Sequence, residues 1–114
     1  MSNKREEQND SGVAIQERQE KKLRRPRMFR VVLHNDDYTP MDFVVRLLET
    51  VFHRSESEAT RIMLHVHNHG SGVAGIYTHE IAETKVAQVH MMARENDCPL
   101  MASLEPEEDP DAES

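Results

Sequence analysis

The chain has 114 residues, 31% of them charged, with a formal net charge of −7 at pH 7 and a single cysteine. Such a length bounds it to one domain with tails, and an acidic body is a poor match for gripping phosphate backbones, which takes a basic face that displaces counterions. One cysteine cannot close an internal disulfide, a pattern that fits a reducing compartment.

Residues 1–27 carry eight Lys/Arg against five Asp/Glu, with only Val13, Ala14, Ile15 and Leu23 as apolar relief. A segment of that kind buries too little surface to offset its ordering entropy, so it is expected to be a disordered extension. Its basic cluster, Lys21-Lys22-Leu23-Arg24-Arg25-Pro26-Arg27, has no interleaved aromatics and reads as a solvated linker rather than a nucleic-acid patch. No signal-peptide pattern is present in these residues, and no run in the chain nears the ~20 apolar residues that span a bilayer. The expectation is a cytoplasmic monomer with no membrane contact. Residues 106–114 form an acidic tail expected to be disordered, leaving residues 28–105 as the folded core.

Met28 to His34 alternates, with Phe29, Val31 and Leu33 on one face, and so predicts a strand. Leu33-His34-Asn35-Asp36-Asp37-Tyr38-Thr39-Pro40-Met41 then ends that strand on acceptor side chains. Thr39 is expected to cap a helix with Pro40 at its first position. That helix is predicted over Met41–Phe52, with Val44, Leu47, Leu48 and Val51 at helical spacing. Ser55-Glu56-Ser57-Glu58 is a capping box that opens a second helix, striped by Ala59, Ile62, Met63 and Val66 and ended by Gly70. Gly70 to Gly75 reads as a flexible turn, and Val73–Tyr77 as a second strand. A third helix is predicted over Glu80–Arg94 and a last strand over Leu100–Leu104. The order β-α-α-β-α-β predicts an α+β fold, a small three-stranded antiparallel sheet packed against three helices.

Asn35, Asp36 and Asp37 have two readings. Asx residues bond their own backbone and favour strand exits. With Thr39 at the cap position, some of their oxygens could instead stay free for a small cation. His65 and His69 lie four apart on one helical face, a metal-binding spacing, but a third ligand is wanting and the two read as exposed polar residues. His67 sits at the edge of the apolar stripe; it either packs there or turns its ring to a groove, and spacing alone does not choose. Met41 and Met63 are unbranched and adaptable, suited to core filling or to a pocket of tolerant shape. No G-x-S-x-G, H-E-x-x-H or glycine-rich phosphate loop is present, so the chain is not read as an enzyme.

Four stretches carry a resemblance. They are Leu33 to Val45 with its Asn-Asp-Asp-Tyr-Thr-Pro-Met, Ala59-Thr60 with Met63-Leu64-His65-Val66-His67, Thr78 to Ala87, and Ala93-Arg94-Glu95-Asn96 with Pro99-Leu100. In one order and across nearly the whole core, they resemble ClpS, the adaptor family of the bacterial Clp protease. The resemblance implies a protein that binds substrates with a destabilising N-terminal residue (Phe, Leu, Trp or Tyr) and hands them to the AAA+ unfoldase ClpA for degradation by ClpP. It implies that Asn35, Asp36 and His67 hold the substrate's α-amino end. It implies that Thr39, Met41, Val44, Met63, Val66 and Leu100 line the side-chain pocket, with Asp37 shaping the entrance. Glu80 and Lys85 match positions that dock on the ClpA N-terminal domain. No cofactor or metal is expected. His65 and Asn68-His69 depart from the family's usual pattern.

The implied chemistry is coherent. A free α-amine, with a pKa of about 7.7–8.0, is mostly an ammonium near pH 7 and offers three N–H donors. A blocked or internal residue would leave acceptors unpaired, at about 1–3 kcal/mol each.

Overall fold

The computed structural model describes residues 26–108. Strand β1 spans Met28–His34, helix α1 Met41–Thr50, helix α2 Glu56–His69, strand β2 Ser71–Thr78, helix α3 His79–Glu95 and strand β3 Met101–Pro106. The expected N-terminal extension thus lies outside the described residues apart from Pro26 and Arg27. The expected tail lies outside them beyond Glu108, and its first residue, Pro106, is the last residue of β3.

The sheet has the order β2-β1-β3 with both pairings antiparallel. This is the predicted α+β arrangement. Val31 and Leu33 are fully buried, as their alternation requires, and pack with Leu47 and Leu48 of α1 and Val89 of α3. Each such side chain contributes about 1.5–3 kcal/mol by leaving water. Val32, on the opposite face, is also buried but stands outside that cluster. It pairs with Ser103 in register, while Arg30 bonds Glu105 and His34 bonds the Ser103 hydroxyl on the same face. A bulge interrupts the β1–β2 register between Val31 and Val32.

The capping box forms as the sequence requires. The Ser55 hydroxyl accepts from the Glu58 amide at 3.2 Å, and the Ser55 amide donates to the Glu58 carboxylate at 3.3 Å. Gly70 ends α2 at φ 93°, a left-handed conformation that favours a residue without Cβ.

Three local expectations are corrected. The flexible turn over Gly70–Gly75 is instead strand from Ser71 onward, because Gly70 alone completes the reversal. Gly72 is there for space: a Cβ on it would meet Val66 Cγ2 at 2.9 Å and His65 Cδ2 at 3.0 Å. Nor does Thr39 cap α1. The cap residue is Pro40, with no side-chain cap bond, and its carbonyl accepts from Phe43 and Val44. Helix α1 also stops at Thr50, with Val51 as its C-cap residue.

Side chains tie the elements to one another. Arg54 donates through Nε and Nη2 to the Ala74 carbonyl, at 3.1 and 2.8 Å. Lys85 Nζ donates to the Val51 carbonyl at 2.7 Å, placing a cation at the C-terminal end of α1. His90 Nε2 accepts from the Ala102 amide at 3.1 Å, which pairs an N–H of edge strand β3. No helix among the described residues is long and apolar enough to cross a membrane.

Candidate functional site

The site begins where β1 runs out. The Asn35 amide donates to the Gly70 carbonyl at 2.9 Å, so the residues after β1 are held against the last turn of α2. The next residue organises the corner. Asp36 Oδ1 accepts from the amides of Tyr38 at 2.8 Å and Thr39 at 2.7 Å, and Oδ2 accepts from the Thr39 hydroxyl at 2.7 Å. This is the turn that Asx residues favour. It answers why Thr39 is not a cap: its hydroxyl is committed to Asp36.

Burial alone would push the Asp36 carboxyl up. The bonds from the Thr39 hydroxyl and the two backbone amides outweigh it, and Asp36 stands below its ordinary value. Asp36 is therefore an anion at neutral pH. Three of a carboxylate's roughly four lone-pair sites are occupied, which leaves one, on Oδ2, for an outside donor. Free oxygens on the acids were expected; on Asp36 most are used locally.

A cavity of about 380 Å³ opens beside this corner. Asn35, Asp36, Asp37, Tyr38, Thr39 and Pro40 form one side, and Met41, Val44, Met63, Val66 and His67 complete it. Helix α1 supplies Met41 and Val44, and α2 supplies Met63, Val66 and His67, the last three within five positions on one helix. Val44, Met63 and Val66 are buried, and Met41 is 43% exposed at the rim. His67 is exposed and lines the cavity, so of its two sequence readings the ring at a groove is the one that matches its place. The arrangement joins an anionic corner to an apolar wall.

Leu100 stands apart. It is 3% exposed, belongs to the main hydrophobic cluster just before β3, and is not among the residues lining the cavity. Tyr38 and Pro40 do line it and were not singled out from sequence. Their signal was contiguity: both lie inside the turn that the acidic corner builds.

Glu80 and Lys85 line a second, shallower cleft of about 570 Å³ on α3, with Ile81, Glu83, Thr84, Ala87 and Gln88. Ile81 is half exposed there. Lys85 is held in place by Val51 and also lies 5.6 Å from the Tyr77 ring centroid.

The histidine pair of α2 is spoken for locally. The His65 and His69 rings stack at 4.1 Å, and His69 Nδ1 donates to the His65 carbonyl at 3.1 Å. Among the described residues no three His, Cys, Asp or Glu side chains group as a metal site.

Known proteins match both the sequence and the fold. The family model described as "ATP-dependent Clp protease adaptor protein ClpS" matches residues 24–103. The chain is 63% identical over 86 residues to the ATP-dependent Clp protease adapter protein ClpS of Desulfatibacillum aliphaticivorans, covering 75% of this chain and 83% of that one. It is 52% identical over 107 residues to the adapter of the same description from Phenylobacterium zucineum, covering 92% and 98%. Among solved structures it is similar to Agrobacterium tumefaciens ClpS2 bound to L-phenylalaninamide, with a TM-score of 0.70 and 41% identity over 72% of this chain and 99% of that one. The family match defines a protease adaptor. The chain belongs to the ClpS family of Clp protease adaptors.

Proposed function

We propose that the cavity between β1, α1 and α2 takes the first residue of a substrate polypeptide, by its free α-amine and its side chain together. The amine lies against Asn35, the remaining lone pair of Asp36 and the ring of His67. The side chain of a Phe, Leu, Trp or Tyr enters between Met41, Val44, Met63 and Val66, with Thr39 beside them and Asp37 at the entrance. The observation that carries this reading is the joining of an anionic corner to an apolar wall in one cavity. It is supported by the solved relative, since L-phenylalaninamide offers a free amine and a benzyl group with its carboxyl blocked.

The chemistry sets the selectivity. An ammonium brings three donors to acceptors held in place by the fold, and an acetylated amine brings one. Leaving two acceptors unmet costs about 1–3 kcal/mol each, which exceeds 100-fold in affinity near the middle of that range. Burying the side chain adds roughly 1.5–3 kcal/mol. Delivery uses the second cleft: Glu80 and Lys85 on α3 face the N-terminal domain of a ClpA-type unfoldase, which passes the substrate to ClpP. Residues 1–27 are the segment that the unfoldase grasps.

Fluorescence binding of a Phe-started peptide beside its N-acetylated twin tests the reading. Tight binding of the free peptide with at least 100-fold loss on acetylation is expected. Equal affinities would overturn it.

A further inference from the structure

Tyr38 is 81% exposed, a tyrosine ring left almost wholly in water on a short turn. It lies at the cavity, yet its ring adds almost nothing to the core. Its backbone is fixed, because the Tyr38 amide donates to Asp36 Oδ1 at 2.8 Å, on the carboxylate assigned to the substrate amine. We propose that the Tyr38 ring is a platform for the second residue of the bound polypeptide and favours an apolar or aromatic side chain there. The inference rests on the proposed binding of a polypeptide start in this cavity.

Reach and chemistry both fit. Tyr38 stands two positions on from Asp36, at most about 7 Å between their Cα atoms. The second Cα of a bound chain lies about 3.8 Å from the first, a separation that a tyrosine side chain on a cavity-lining turn can span. A tyrosine gives a large, stiff contact area with few rotatable bonds, here carried on a backbone that the Asp36 carboxylate holds. An acidic second residue would instead meet the carboxylates of Asp36 and Asp37, which line the same side.

The test compares L-phenylalaninamide, Phe-Gly-amide and Phe-Leu-amide on the full chain by calorimetry. The unmodified protein is expected to bind Phe-Leu-amide roughly 3- to 10-fold tighter than Phe-Gly-amide, the range of one aromatic contact. In Tyr38→Ala that ratio falls to about one, and in Tyr38→Phe it is restored. A ratio near one in the unmodified protein, or a ratio kept in Tyr38→Ala, would overturn the inference while leaving the cavity's role intact. Failure of the unmodified protein to bind any of the three would overturn the proposed function, and this inference with it.

Discussion

The amide of Asn35 donates to the carbonyl of Gly70 across 2.9 Å, and that one bond joins the exit of β1 to the end of α2. The acidic corner and the helix bearing Met63, Val66 and His67 are held to each other there. The carbonyl's direction depends on Gly70 at φ 93°, where a side chain would be strained. The placing of the cavity's two walls therefore follows from backbone geometry as much as from the side chains that line it.

Asp36→Ala is expected to lower stability by about 1 kcal/mol through three lost hydrogen bonds at a partly exposed site. It should also weaken binding of a free N-terminus. The folded carboxyl titrates below its ordinary 3.8. Its stabilisation is then full above that ordinary value and is lost as pH falls through the lower folded value. Urea denaturation of both proteins at pH 7 and pH 3 checks this: the gap between them should narrow at pH 3.

Gly72→Ala places a Cβ 2.9 Å from Val66 Cγ2. Val66 is buried and β-branched, so it cannot swing aside freely. A cost of about 1–3 kcal/mol is expected, with weaker peptide binding because Val66 lines the cavity. Thermal denaturation and peptide titration on the same variant measure both effects.

Met41→Ala acts differently, since Met41 is 43% exposed at the rim. Stability should change by less than about 0.5 kcal/mol. Selectivity should relax: β-branched N-terminal residues, Val and Ile, should gain relative to Leu. A panel of peptides differing only in the first residue gives the answer, and an unchanged ranking would exclude Met41 as a gate.

Glu80→Lys should impair unfoldase-dependent degradation and spare peptide binding, because Glu80 lies on the α3 cleft and away from the first cavity. Lys85→Met should do more. Its ammonium bonds the Val51 carbonyl at 2.7 Å, and losing that bond adds about 1 kcal/mol of instability to any docking defect. Degradation assays paired with denaturation curves separate the two variants.

Removing residues 1–15 should leave peptide affinity unchanged and abolish degradation of the bound substrate. Full degradation by the shortened protein would show that the extension has no part in delivery.

Much of this was legible in the sequence because local rules were obeyed locally. Phe29, Val31 and Leu33 alternate and Ser55 and Glu58 cap each other; Gly70 stands where a left-handed residue is needed. Each of these depends only on neighbours in the chain. What was not legible depends on competition between partners. Three Asx residues and one threonine offered several ways to satisfy the turn before α1, and Asp36 took the Thr39 hydroxyl that the sequence assigns to a cap. Gly72 read as flexibility, whereas it answers to Val66, a contact that exists only once β2 lies against α2. Leu100 was assigned to the pocket by resemblance and is not among the residues lining the cavity here.

The start of β1 and the cavity stand at opposite ends of the same strand, about 20 Å apart at the usual rise per residue. β1 is central, and its bonds to β2 and β3 run across its axis. A tug applied upstream of Met28 along that axis thus loads both ladders in shear, all rungs at once, rather than peeling them singly. Traction from that side would therefore meet the sheet in its most resistant direction, and the distance would keep such a pull clear of whatever the cavity holds.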